Sequence, residues 1–328
     1  MSGRVDSYPS TRPGRDRWIL KHRSPRSKVD PWRPISVAIE NEPSVKGGIE
    51  RVLVMILAGS ECPWRCVMCD LWKNTIAEPM PQGAVPAQIR AGLAVVRGRL
   101  EAGDIGAVKL YNSGSFFDRH SVPPADYQAI AQLVGGFRRV IVECHPNLVD
   151  SAVLKFRDLI QGKLEIAMGL ETADPDVLAK LNKRLTLAQF ARSARFLVNN
   201  GIDVRAFVLI QPPFTRPETA VDDAVDSMHF AFECGASIVA LIPTRAGNGA
   251  MEELAASGDF VRPRLATVEK ALEAGIQSRR GRVIADLWSL EQLADCPACF
   301  GARRSRLEKM NLTQSIQPPT ACHACGAC

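Results

Sequence analysis

Six short apolar runs recur through the middle of the chain, at 52–58, 107–112, 138–143, 164–170, 203–210 and 237–242. Between them apolar positions fall at helical spacing, over about 84–100, 124–135, 150–160, 174–200 and 217–234, with a further segment at about 264–276. Short apolar runs bounded by turn residues read as buried strands, and i, i+3, i+4 spacing reads as helix. The 174–200 stretch is long enough for two helices. Strands alternating with helices predict a parallel sheet built by right-handed crossovers. Both a partial (β/α)6 barrel and a doubly wound open sheet satisfy this α/β pattern. No internal repeat or long low-complexity tract interrupts it.

Residues 1–45 depart from the pattern. They mix Pro, Ser, Arg and Lys with isolated Trp18 and Trp32, which predicts a loosely ordered basic extension that packs its aromatics on the main domain. The core is expected over 46–277 and a Cys-rich appendage over 278–328. A chain of 328 residues, 46% hydrophobic and 23% charged, is long enough for one large domain with such an appendage. The net charge of +6 is uneven. Arg4, Arg12, Arg15, Arg17, Lys21, Arg23, Arg26, Lys28 and Arg33 face only Asp6, Asp16 and Asp30, and Arg303, Arg304, Arg306 and Lys309 form a second basic group. Either group suits a phosphate backbone, and either can equally be a solvated face. No stretch has the length of a membrane span, and the charged N-terminus carries no signal-peptide pattern, so a cytoplasmic location with no membrane partner is expected.

The cysteines bring in the chemistry. Cys62, Cys66 and Cys69 follow the first apolar strand directly, on the kind of loop where a barrel places its site. Three thiolates can hold three irons of a [4Fe-4S] cluster and leave the fourth open; a structural zinc loop or unrelated buried thiols are the plainer alternatives. The C-x3-C-x2-C spacing resembles the radical S-adenosylmethionine (SAM) superfamily. That resemblance implies a partial TIM-like barrel, and SAM bound at the open iron and cleaved by one electron to methionine and a 5'-deoxyadenosyl radical. Met68 stands where many members carry an aromatic near the adenine, and its thioether can pack there too.

Strand ends supply the remaining candidates. Asn112, Ser113, Gly114 and Ser115 follow the second run, where small residues let a ligand approach the backbone; their position matches the superfamily's motif for the SAM amino group. Glu171 ends the fourth run and is expected at the ribose, while Glu143, ending the third, is expected at SAM or substrate. Either can instead cap a helix or pair with Lys183 or Arg184. His145 reads as a hydrogen-bonded loop residue. Arg205 lies inside a strand, where a buried charge needs a partner, either a SAM carboxylate or an internal acid. The stretch 243–245 offers its backbone to the adenine.

Near the C-terminus, Cys296, Cys299, Cys322 and Cys325 form two C-x2-C pairs, the spacing of a tetrahedral zinc site. Cys328 is left over, which keeps an auxiliary iron–sulfur cluster open as the alternative. Cys144 and Cys234 have no metal-like spacing and are expected to pack as small hydrophobes.

Asn112 to Phe116, Val122-Pro123, Glu143 with Pro146, Gly169 to Thr172, Leu181 to Lys183 and Leu209 to Phe214 together resemble the archaeosine synthase β-subunit family, related to the Elongator catalytic subunit, over roughly 50–265. The resemblance implies cleavage of a lysine-bearing 7-deazaguanine in tRNA, alongside a lysine-attaching partner subunit and a reductant protein. Two other readings compete: a radical SAM enzyme acting on a peptide or small metabolite with an auxiliary cluster, and a non-catalytic, metal-stabilised RNA-binding protein.

Overall fold

The computed structural model describes residues 7–45, 47–101 and 103–326; Arg4, Asp6 and Cys328, named above, lie outside them. Eight strands form one sheet in sequential order: β1 (Ser36–Pro43), β2 (Ile49–Leu57), β3 (Ala107–Asn112), β4 (Arg139–Glu143), β5 (Lys163–Glu171), β6 (Asp203–Ile210), β7 (Ile238–Pro243) and β8 (Arg282–Ala285). All neighbours from β2 onward pair in parallel, and β1 pairs antiparallel with β2. An order that never reverses has no topological switch point, so the sheet is not doubly wound. It curls into a partial barrel, as expected. Across the open side, Arg282 Nη1 of β8 donates to the Pro43 carbonyl of β1 at 2.9 Å.

The principal helices are α1 (Arg12–His22), α2 (Ala84–Val95), α3 (Tyr127–Leu133), α4 (Ser151–Leu159), α5 (Leu187–Asn199), α6 (Ala220–Glu233), α7 (Leu265–Ser278) and α8 (Pro297–Thr313). Local chemistry sets their starts. Asp150 accepts from the Ala152 amide ahead of α4, and Thr186 with Gln189 forms a capping box on α5. Outward-facing Leu53, Met55, Leu110, Ile166 and Val208 pack fully buried against Ile89, Phe156, Phe190 and Leu272 from the helices. Each such side chain contributes about 1.5–3 kcal/mol.

The inner face is mixed. Val52, Val54, Ala107, Ile141 and Ala167 line it with Tyr111 and Phe207. Toward the N-terminal ends of the strands, here the floor, charges take over. Arg205 Nη1 and Nη2 meet Glu42 at 2.7 and 2.8 Å, and its Nε meets Glu165 at 2.7 Å. Arg139 bonds Glu165 and Glu50, each at 2.6 Å, and Lys109 reaches Glu42 at 2.7 Å and Glu40 at 3.0 Å. Of the two partners open to Arg205, the structure supplies the internal acids, and its guanidinium is fully committed to them. That removes it from the cofactor-facing set.

Residues 7–45 are also more ordered than expected. They supply α1 and the edge strand β1, with Trp18 buried; Trp32, expected to pack, is 47% exposed. At the other end α8 closes the barrel's open side. Its Leu307 and Met310 are buried, and two side-chain amides zip onto the free edge of β8. Asn311 exchanges two hydrogen bonds with the Ala285 backbone, both 2.8 Å, and Gln314 exchanges two with Val283 at 2.9 and 2.8 Å. This covers the edge as a further strand would. Arg303 and Arg306, read as possible phosphate contacts, instead pin α8 to α7 through Glu269 and Glu273.

Candidate active site

The cysteine loop leaves the C-terminal end of β2, at the mouth of the barrel. Four neighbouring segments hold it. The Val67 amide donates to Leu181 O at 3.0 Å, and Asn248 Nδ2 donates to Val67 O and Cys69 O at 2.7 and 3.0 Å. Asn182 Nδ2 donates to Arg65 O and to Asp16 of α1, both 2.8 Å, and Trp72 Nε1 donates to Cys69 O at 3.0 Å. Glu61, just before Cys62, gathers Arg23 at 2.6 Å, Arg65 at 3.0 Å and Arg26. Part of the basic N-terminal stretch is thus spent inside the molecule, gripping this loop.

Burial pushes all three thiols up, Cys69 to about 12 and Cys66 well above its ordinary value, and the thiols act on one another. Lys183 lies close enough to Cys66 to pull the other way. Its ammonium is paired with Glu171, and although burial works against its charge, that partner keeps it raised. Glu171 has a left-handed φ of 72° at a register shift in β5, the strained geometry that functional positions often carry. Gly169 makes room for it: a Cβ there would land on the Glu171 carboxylate and the Lys183 amine. Glu171 therefore does pair with Lys183, through Oε1.

Glu143 accepts from the Asn112 amide at 3.3 Å, and burial raises its carboxyl to about 8. Ser115 Oγ accepts from the His145 amide at 3.1 Å, and a Cβ on Gly114 would strike Ser121 Oγ and the Ser60 carbonyl. Ser113 is buried beside them, while Met68 packs beside Val67 and Leu181. His145 is hydrogen-bonded, as expected: Nδ1 accepts from Asn147 N at 3.1 Å, Nε2 meets Lys183 O at 3.2 Å, and burial lowers the ring to about 3. It stacks on Trp64 of the cysteine loop at 3.7 Å. Buried groups at the mouth that lack hydrogen-bond partners among the described residues include both side-chain amide atoms of Asn112, Asn182 Oδ1 and Thr244 Oγ1. Buried polar groups are almost always paired, so these are places for a polar ligand. Lys183, Asn182, Asn248 and Glu61 were not singled out in the sequence as site residues, since each acts through a neighbour distant in the chain.

A second sulfur cluster forms at the C-terminal end. Cys296 and Cys322 Sγ lie 4.0 Å apart, Cys299 and Cys325 3.9 Å, and all four lie within 4.8 Å of one another, a group able to hold a metal. Backbone amides of Cys325 and Ala324 draw the Cys322 thiol down to about 7. Cys144 and Cys234 are buried.

A sequential partial barrel with its three-cysteine loop at the mouth is the architecture of the radical SAM type. Over 79% of the chain it superposes on Elp3 of Methanocaldococcus infernus with a TM-score of 0.51 and 12% identity, covering 63% of that chain. In sequence, the chain is similar to archaeosine synthase subunit beta of Thermococcus kodakarensis, 28% identical over 50% of this chain and 51% of that protein. It thus spans about half the length of that relative. An uncharacterised protein of Methanocaldococcus jannaschii is 24% identical over 90% of this chain and 86% of its own length. No protein-family model matches. Among the described residues no helix is long and apolar enough to cross a membrane.

Proposed function

We propose that this protein is a radical SAM enzyme that modifies a 7-deazaguanine nucleoside of tRNA in an archaeosine-type reaction, working with a lysine-attaching partner subunit and a separate reductant protein. The observation that carries the reading is the three-cysteine loop, pinned from four sides at the barrel mouth beside Glu171 and Lys183; the similarity to archaeosine synthase subunit beta supports the substrate.

The donor set fits a [4Fe-4S] cluster. Three half-buried thiols share one loop and act on one another, so that cluster binding would take up thiolates that desolvation otherwise disfavours. Cys62, Cys66 and Cys69 would hold it, and when bound it supplies the electron for reductive cleavage of SAM. The chain's own residues bind and orient. Glu171 is fixed by Lys183 through Oε1, leaving Oε2 for ribose hydroxyls. Asn112, Ser113 and Gly114 line the approach of the amino acid end, with Ser115 shaping that turn from within. Met68, packed with Val67 and Leu181, would border the adenine. Glu143, protonated at neutral pH, offers a hydrogen bond rather than a charge.

The C-terminal cysteines favour zinc. A tetrahedral ion with Zn–S of about 2.3 Å sets its sulfurs about 3.8 Å apart, close to the 3.9 and 4.0 Å found here. An iron–sulfur cubane would spread them farther. The test is anaerobic reconstitution with iron, zinc and sulfide counted per chain, and 5'-deoxyadenosine release followed with and without tRNA. About four irons and one zinc with turnover are expected. About eight irons without zinc would favour the peptide or metabolite reading, and RNA binding without deoxyadenosine would favour a non-catalytic protein.

A further inference from the structure

Two of the chain's five tryptophans are left in water by the same local structure. In Asp30-Pro31-Trp32 the Trp32 amide donates to Asp30 Oδ1 at 2.9 Å; in Asp286-Leu287-Trp288 the Trp288 amide donates to Asp286 Oδ1 at 3.0 Å. Such aspartate turns fix the backbone without using the following side chain. Each aspartate is also backed by an arginine, Arg33 at 3.8 Å and Arg245 at 2.8 Å. The indoles are 47% and 59% exposed, and among the described residues neither has a ring partner. By contrast Trp18 and Trp72 are buried, and Trp64 is stacked on His145.

The two turns also occupy matching places. Ile35 N donates to Ile56 O and Ser36 pairs with Ile56, so Trp32 lies just beyond the mouth end of β2 on the chain entering edge strand β1. Asp286 N donates to Leu241 O, so Trp288 lies just beyond the mouth end of β7 on the chain leaving edge strand β8. Both edges of the partial barrel therefore end in an exposed indole at the level of the site. Single exposed tryptophans need no explanation; two in one turn type, flanking one opening, do. The neighbours say what would cover them. Lys28 and Arg33 near Trp32 are exposed, Arg26 being paired with Glu61, and the exposed acid among them, Asp30, is engaged with Arg33 and the Trp32 amide. At Trp32 a flat apolar ring beside cations matches a single nucleic acid strand, whose bases stack on aromatics while its phosphates take the charges; Trp288, with exposed Glu291 nearby, offers a stacking ring without a free cation.

We propose that Trp32 and Trp288 form paired stacking platforms for unpaired bases of an RNA substrate at the open side of the barrel mouth. The proposal rests on the tRNA reading above and names how that substrate is gripped. The experiment measures Kd of the cluster-loaded protein for unfractionated tRNA, for a single-stranded oligoribonucleotide and for an RNA duplex of equal length, with thermal melting as the folding control. Trp32→Ala and Trp288→Ala should each weaken single-strand binding by about 5- to 100-fold, and Trp→Tyr at either position should recover most of it. Neither alanine should change duplex binding or the salt dependence, whereas Arg33→Ala should lower the single-strand salt slope by about 0.7. If the alanine variants bind all three RNAs as the parent does, the platforms are overturned while the tRNA reading stands. Equal losses for alanine and tyrosine, or equal losses on duplex, overturn stacking. A parent protein that binds no RNA overturns both, and so does loss of a protein partner with RNA affinity unchanged overturn the assignment of this surface to RNA.

Discussion

The two ends of the barrel use buried polar groups in opposite ways. At the floor Arg205 and Arg139 are satisfied by Glu42, Glu50 and Glu165 at 2.6–2.8 Å; burial would raise Glu42, but Arg205 wins and holds it well below the carboxylate range. At the mouth the Asn112 side-chain amide and Thr244 Oγ1 are unpaired among the described residues, Glu143 is raised to about 8, and Glu171 sits at positive φ. Apart from Arg282 Nη2, left unpaired at the floor among the described residues, that network has little to offer a ligand, and incomplete groups at the mouth cost stability that a ligand restores. The end that looks worse as structure is the end that can bind.

The largest effect should come from the loop at the mouth. Cys66→Ala is expected to abolish both the catalytic cluster, read as iron and sulfide content, and deoxyadenosine release, with the C-terminal metal retained. Full iron in that variant would break the assignment. At the floor, Arg205→Ala leaves Glu42 to Lys109 and Glu165 to Arg139, each buried with one partner fewer, and should lower unfolding free energy by about 3 kcal/mol in denaturant titrations. A variant as stable as its parent would show that the floor is not what holds this end together.

Glu143 tests the contrast through pH. Its folded value of about 8 lies above the 4.5 of the free carboxyl, so the native state holds the extra proton and stability falls as pH rises between those values. His145, lowered to about 3 from 6.5, gives the opposite slope, complete by 6.5. Between pH 6.5 and 8 the metal-free parent should therefore lose about 1.4 kcal/mol per pH unit relative to Glu143→Gln; parallel curves would refute the raised carboxyl. The smallest effects sharpen the comparison most. Asn112→Ala and Thr244→Val should leave stability within about 0.5 kcal/mol or raise it, since neither group has a partner to lose. Each should weaken SAM binding by about 10-fold in equilibrium titration, about the worth of one hydrogen bond. A stability loss with unchanged SAM affinity would reverse the reading.

Strands β2–β7 were legible because each is an apolar run that needs only its own residues to be recognised. Strand β1 was not. Its Ser36–Pro43 sequence carries Glu40, Asn41 and Glu42, and those carboxylates make sense only once Lys109 and Arg205, far along the chain, arrive opposite them. Helix α8 hid in the same way, its arginines reading as a basic patch until Glu269 and Glu273 were seen to face them. In the site, spacing alone marked both cysteine groups. The pairing of Glu171 with Lys183 was foreseen as one of two outcomes, while Trp32 was expected to pack and stays exposed.

The amide zipper on β8 also bears on how the chain comes into being. Until Asn311 and Gln314 have been synthesised, Val283 and Ala285 present free backbone groups along an open strand edge, a template for pairing with another chain. The nascent barrel is thus complete in its strands yet adhesive along one side. A growing chain stalled anywhere between 286 and 310 would be a seed for aggregation, and a metal that helps order the four C-terminal cysteines would act as much on yield during synthesis as on the stability of the finished molecule.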